Sequence, residues 1–419
     1  MVSYEKHRLD NGLTVLTHEA WDTPLATVNL LYNVGSRDED PHRTGFAHLF
    51  EHLMFGGTPE VPDFDAVVSG VGGEDNAFTT CDYTNYYMTV PAEALPTALR
   101  LEADRMAHLD INQRALEVQQ HVVTEEYNQR YINQPYGDCW LLLRPLCYSV
   151  HPYRWPTIGA DIRHVSEASL ADVRAFHSRF YRPDSAILAI AAPMEHKAML
   201  SHVEQAWGAK LNDASSTGIG CTGTSRTYPA EPAQTAARFL RVERAIPATK
   251  VFLAYPMGDR WSGYFRACDL ISDILGNGES SRLHRRLVVE EGLMTEADAS
   301  ISGEAGPGLL VLSGKLRDGV TADQGAEALR REAEALLTEE VSDYELRKVQ
   351  NKYENTFVFS QYKASDRALA LCHYTWLGDT ELVNREPEEY RRLTPTLLLE
   401  AARTVFDPKK ENCLYYERI

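Results

Sequence analysis

His48 and His52 stand four residues apart with Glu51 between them, in the run Phe46-Ala47-His48-Leu49-Phe50-Glu51-His52-Leu53-Met54-Phe55. On an α-helix, positions i and i+4 lie one above the other, so two imidazoles at this spacing can aim ring nitrogens at a single metal ion. Glu51 projects from the neighbouring turn, where a carboxylate can take a proton from metal-activated water without itself being a ligand. The order His-x-x-Glu-His inverts the commoner zinc-protease pattern and is itself a metalloprotease signature. Three fixed residues can coincide by chance in a chain of 419 residues with 14 histidines. The context argues otherwise. Phe46, Leu49, Phe50, Leu53 and Met54 recur at helical spacing, so the helix is expected to be largely buried. Burying two histidines and a glutamate without partners costs several kcal/mol, whereas one ion satisfies all three.

A catalytic zinc takes three protein ligands and leaves a fourth position for water. The third is sought in Gln119-Gln120-His121-Val122-Val123-Thr124-Glu125-Glu126-Tyr127-Asn128-Gln129-Arg130, a predicted helix with two adjacent carboxylates. Adjacent helical residues point about 100° apart, so one of the two can face the ion. Glu126 is the expected ligand, with Glu125 as the alternative, and His121 is read as structural. His and carboxylate ligands suit zinc, one ion per chain, but also cobalt or manganese.

The chain resembles the inverted-motif zinc peptidase family of insulin-degrading enzyme, pitrilysin and the mitochondrial processing peptidase, and is most similar to its short, two-domain bacterial-type members. The similarity runs through Gly73-Glu74-Asp75-Asn76-Ala77-Phe78-Thr79, Asp82-Tyr83-Thr84, Glu102-Ala103-Asp104-Arg105-Met106, His151-Pro152-Tyr153 and Ser280-Ser281-Arg282-Leu283, in the family's order. Family members carry a glutamate ligand roughly 75 residues after the second histidine; here 126 − 52 = 74, which favours Glu126. The resemblance implies two related domains facing each other around a chamber, one of them catalytic. It also implies that Gly73 to Thr79 is an edge strand holding extended peptides, with Asn76 and Ala77 as the substrate-binding residues.

Two departures from the family stand out. Active members place an Arg and, seven residues later, a Tyr after Ser-Ser-Arg-Leu to support the developing oxyanion; by the Gly292-Leu293 landmark, Val288 and Thr295 occupy those positions. Losing one oxyanion donor typically costs about 2.7 to 4 kcal/mol. A dimer is therefore expected, either with a related subunit that supplies the pair or as a homodimer using residues such as Arg285 or Arg286. The second departure is Gln119, where relatives have a carboxylate seven residues before the ligand glutamate, so the support behind the metal differs here.

The elements that must position these residues read as α+β. Leu13 to Thr17 and Ala26 to Tyr32 are predicted strands, and Phe78 to Val90 has strand composition. A helix is expected from about Glu93 to Ala107 and a buried strand over Ala186 to Ala191. Strands and helices mix without strict alternation, which favours mainly antiparallel sheets with helices packed on them. A Ser, Thr, Gly and Pro-rich stretch over 212–234 reads as a linker between a metal-bearing domain, 1–211, and a related domain without metal, 235–419. In that second half Val251 to Tyr255 parallels an early strand and Phe265 to Gly276 takes the place of the metal helix. There Cys268, Ile271 and Ser272 stand opposite His48, Glu51 and His52, so the repeat cannot repeat the site.

Composition is that of an ordinary globular protein, 44% hydrophobic and 24% charged. The length exceeds what one core normally organises. Seven cysteines without a Cys-x-x-Cys pair read as free thiols. A net charge of −18 argues against nucleic acid and anionic membranes as partners. No apolar run long enough to span a bilayer and no signal core are present in the sequence, which reads as cytoplasmic. The expected function is zinc-dependent endopeptidase activity on extended peptides. The alternatives are a non-catalytic peptide-binding or assembly subunit and a zinc hydrolase of non-peptide amides.

Overall fold

The computed structural model describes residues 1–208 and 220–419. The chain forms two compact units, each discontinuous in sequence: Met1–Tyr127 with Trp155–Tyr228 and Phe357–Glu386, and Asn128–Arg154 with Pro229–Thr356 and Pro387–Ile419.

The first unit is built on a six-stranded sheet. Its strands are β1 (Glu5–Arg8), β2 (Thr14–Glu19), β3 (Leu25–Tyr32), β4 (Glu74–Thr79), β5 (Thr84–Pro91) and β6 (Ala186–Ala192), in the order β1-β2-β6-β3-β5-β4. Every pairing is antiparallel except β2 with β6. All seven residues of β6 are buried, as an unbroken run of Ala, Ile and Leu requires of a central strand covered on both faces. The helices relevant to the site are α1 (Phe46–Leu53), α2 (Leu95–His108), α3 (Gln113–Tyr127) and α4 (Leu170–Phe180). Helix α2 starts two residues later than expected, because a 3₁₀ turn, Ala92–Ala94, precedes it and Pro96 stands in its first turn.

The second unit carries β7 (Arg238–Arg244), β8 (Lys250–Pro256), β9 (Met294–Ile301), β10 (Leu309–Leu316) and β11 (Asn412–Arg418), in the order β7-β11-β8-β10-β9. Only β7 and β11 run parallel. Set against β2-β6-β3-β5-β4, this is the same order with the same single parallel pair. Helix α5 (Phe265–Gly276) follows β8 as α1 follows β3, so it holds the place of the metal helix. Both sheets are the mainly antiparallel α+β layers that the sequence implies.

The units do not follow the sequential division at 212–234. Helix α7 (Ala364–Trp376), late in the chain, packs on β3 and β6 of the first unit. Helix α6 (Asp343–Phe359) precedes it and falls almost wholly in the second unit. Residues 212–219 of the expected linker lie outside the described residues. The part that follows is not a free tether: the Asn33 side-chain amide donates to the carbonyls of Gly220 and Thr222 at 3.0 and 2.9 Å, and Arg226 pairs with buried Asp38 at 2.8 Å. Among the described residues, no helix is long and apolar enough to cross a membrane. All seven cysteines are free and all but Cys221 are buried.

Candidate metal centre

Helix α1 presents its apolar residues to the core, with Phe46, Ala47, Leu49, Phe50 and Leu53 all buried. Its N-cap, Gly45, has φ of 89°. A Cβ there would lie 2.7 Å from a methyl of Val165 and 2.8 Å from the Ile158 carbonyl, so the tight entry admits glycine alone. Two turns of helix then set His48 and His52 side by side, with ring centroids 4.9 Å apart and the rings nearly perpendicular.

Helix α3 packs against α1 and brings Glu126 to them. Glu126 Oε2 lies 3.5 Å from His48 Nε2 and 3.4 Å from His52 Nε2. These separations exceed a good hydrogen bond of about 2.7–3.2 Å. They match the spacing of ligand atoms around a tetrahedral ion with bonds of about 2.0–2.2 Å, whose edges are about 3.3–3.6 Å. The three residues form the one group of His, Cys, Asp or Glu suited to a metal among the described residues. Glu125 and His121 point to solvent. Gln119, two turns before Glu126, is half-buried, and no hydrogen bond to the three donor residues ties it to them.

Glu51 stands outside that group. Its carboxylate accepts a 2.6 Å hydrogen bond from the Thr79 hydroxyl at the end of β4. Thr79 closes one of the stretches shared with the family, but nothing local in the sequence pairs it with a residue 28 positions away. Strand β4 lies at the edge of the sheet and packs against α1. It pairs with β5 through Asn76 opposite Tyr87 and Ala77 opposite Tyr86. The Thr80 amide donates to the Tyr83 carbonyl at the turn. By the alternation of an antiparallel ladder, Phe78, Asn76 and Glu74 then turn their backbone groups to β5, while Asp75, Ala77 and Thr79 turn theirs outward. The Asn76 side chain accepts from the outward Ala77 amide at 2.8 Å.

The Glu102 to Met106 stretch supports α1 from behind. Glu102, fully buried, takes two hydrogen bonds from Arg105 at 2.8 and 2.5 Å. The Arg105 guanidinium sits 4.7 Å from the ring centres of Phe64 and Tyr86, and the Tyr86 hydroxyl donates to the Phe50 carbonyl of α1 at 3.2 Å. Asp104 accepts from Thr58 at 2.5 Å and so fixes the loop that leaves α1. From α4, His177 stacks on Phe50; burial pushes its pKa down to about 4, so the ring is neutral. Glu39, fully buried beside the start of α1, has its carboxyl pushed up to about 8 by burial, against the pull of its amide donors at Ala47 and Gly45 and the Trp155 indole. Within the acidic run Asp38-Glu39-Asp40 it carries no sequence mark that separates it from a solvated turn.

In the second unit, Val288 packs against the hydrophobic core, and the exposed Thr295 hydroxyl donates to the Lys315 carbonyl. Arg286 pairs with buried Glu332 at 3.3 Å and Arg285 approaches Glu290 at 3.7 Å. Arg282 of the Ser-Ser-Arg-Leu stretch clamps Glu345 of α6 with bonds of 2.8 and 3.0 Å.

Fold and site thus define a repeated α+β protein whose first unit carries a two-helix His-His-Glu donor set. Residues 14–135 match the family description "Insulinase (Peptidase family M16)" and residues 167–353 match "Peptidase M16 inactive domain". The chain belongs to peptidase family M16. It is 27% identical to the zinc protease PqqE of Helicobacter pylori over 98% of this chain and 92% of that protein. An uncharacterized zinc protease of Mycobacterium bovis is 31% identical over 68% of this chain and 64% of its own length. The crystal structure of a protease from Helicobacter pylori superposes with a TM-score of 0.90 at 25% identity, covering all of both chains. Pitrilysin superposes with a TM-score of 0.77 at 19% identity over 99% of this chain, which spans about half of pitrilysin, 45% of its length.

Proposed function

We propose that this chain is a zinc metalloendopeptidase acting on peptides held in extended conformation. The observation that carries this reading is the convergence of His48, His52 and Glu126, with donor atoms all within 4.8 Å of one another, beside a carboxylate that is not among them. His48, His52 and Glu126 would hold the ion; when bound, zinc supplies Lewis acidity and lowers the pKa of water to about 7. Glu51 is the proton carrier, taking a proton from the attacking water and delivering it to the leaving amine. The Thr79 hydroxyl orients the Glu51 carboxylate by donating to one of its oxygens. The outward backbone groups of Asp75, Ala77 and Thr79 offer an added strand its hydrogen bonds once the Asn76 side chain releases the Ala77 amide, with Asn76 and Ala77 at the centre of the contact. Backbone pairing of this kind selects for extended chain rather than for side chain.

The test is Glu51→Gln, which keeps size and hydrogen-bonding shape. Metal content should be unchanged while hydrolysis of an unstructured polypeptide falls by about 10²–10⁴-fold, the usual value of a general base. Hydrolysis by the variant at the wild-type rate removes Glu51 from the mechanism. A second reading, a peptide-binding subunit without turnover, is favoured by Val288 and Thr295 at the Arg and Tyr positions. It requires peptide binding with no cleavage even when a related subunit is present.

A further inference from the structure

The start of α1 is held from outside the helix by one buried carboxylate. Glu39 Oε1 accepts from the Ala47 amide at 2.8 Å; Oε2 accepts from the Gly45 amide at 2.9 Å and from the Trp155 indole at 3.1 Å. Trp155 also donates to the Ser36 carbonyl at 2.9 Å, which fixes the indole itself. The N-cap is a glycine, with no side chain to cap its own helix. The preceding residue is tied down as well, since Thr44 bonds the His164 ring at 2.9 Å and receives the Ala160 amide at 2.8 Å.

An α-helix leaves its first N–H groups without intrahelical acceptors. A helix of eight residues is too short to hold itself together in water. In α1 this weakness falls on the chemistry, because His48 is only the third helical residue. Were the first turn to fray, His48, which lies within it, would lose the helical geometry that aims its ring. A metal constellation tolerates displacements of only about 0.5 Å.

We propose that Glu39 is a positioning residue for the metal centre: its carboxylate, gathering Gly45, Ala47 and Trp155, sets the first turn of α1 and with it the aim of His48. This rests on the function proposed above. It assigns to Glu39 no contact with metal or substrate.

Glu39→Gln tests it, because an amide of the same shape must turn at least one N–H toward a donor that now meets an oxygen. Zinc affinity is measured by competition with a chelator of known affinity, beside peptide hydrolysis and thermal unfolding. We expect a folded variant that binds zinc about 10-fold or more weakly, the range for groups that orient metal ligands. Its kcat should fall with KM unchanged. Trp155→Phe, which removes one of the three donors, should weaken zinc by a few-fold. Ile190→Val on β6, a mild core substitution, should lower the unfolding temperature and leave zinc affinity alone. If Glu39→Gln folds and binds zinc as tightly as wild type, the proposal is overturned while the zinc reading stands. If that variant does not fold, unchanged affinity in Trp155→Phe overturns it. A wild-type chain that binds no zinc overturns the function proposed above together with this inference.

Discussion

At the scale of single residues, the sequence carries what is local and hides what is not. Two histidines one turn apart can be read directly, because helical geometry converts their spacing into proximity. Glu126 is harder: the helix could be foreseen, but the choice between adjacent carboxylates depends on which face of α3 meets α1. In the structure Glu125 is exposed and Glu126 is turned to the histidines. Glu39 and Thr79 had no local mark, since each acts through a partner brought near only by the fold. The two glutamates give a direct comparison. Glu126→Gln should weaken zinc binding by at least about 100-fold, because it removes an anionic donor from the group itself. Glu125→Gln should change it by no more than about 2-fold, as expected for a solvated carboxylate. Chelator competition on both variants is the measurement, and equal effects would mean that α3 presents a different face to the ion.

At the scale of elements, periodicity and composition were sufficient where an element has one buried face or two. Strands β2, β3 and β6 and helix α5 lie within a residue or two of their expected bounds. The turns of π-helix at Asn128–Ile132 and His284–Glu290 were not legible, because an extra residue per turn leaves no signature in a short window. The shared Ser-Ser-Arg-Leu stretch now has a physical role at this scale: Arg282 joins the segment before the second of these turns to α6. The pair holds the Glu345 carboxyl well down, to about 2, chiefly through its hydrogen bonds with Arg282. The folded pKa is thus depressed below the ordinary 4.5, so the stabilisation is fully present above about pH 4.5 and is lost as pH falls toward 2. With Glu345 about a quarter exposed, the pair contributes on the order of 2 kcal/mol. Glu345→Gln should therefore lower the unfolding temperature at pH 7 and have little effect near pH 2. Thermal melts across that range decide it; a deficit that persists unchanged at pH 2 would assign the loss to packing instead of charge.

At the scale of the whole molecule, the repeated strand order explains why one sequence can hold a half with the His-His-Glu group and a half without it. The second unit keeps the topology, and α5 keeps the place of the metal helix, yet Cys268, Ile271 and Ser272 are buried where no group of metal-ligating side chains forms among the described residues. What the family plan asks of that half is an oxyanion donor pair, and here Val288 is committed to the core and Thr295 to a strand carbonyl. Arg286, the nearest substitute by sequence, is engaged by Glu332. The chain by itself should therefore stabilise the transition state poorly. A missing donor of this kind corresponds to about 10²–10³-fold in rate. Mixing the purified chain with a related subunit that lacks the zinc motif but carries the Arg and Tyr should raise kcat/KM on an unstructured peptide by about that factor, with a new species of the summed mass on size exclusion. The same gain should vanish when Glu51→Gln replaces the wild-type chain, because the donors would then serve a site without its base. Full activity of the isolated monomer, unaffected by any such subunit, would show that the oxyanion is met by other groups of this chain.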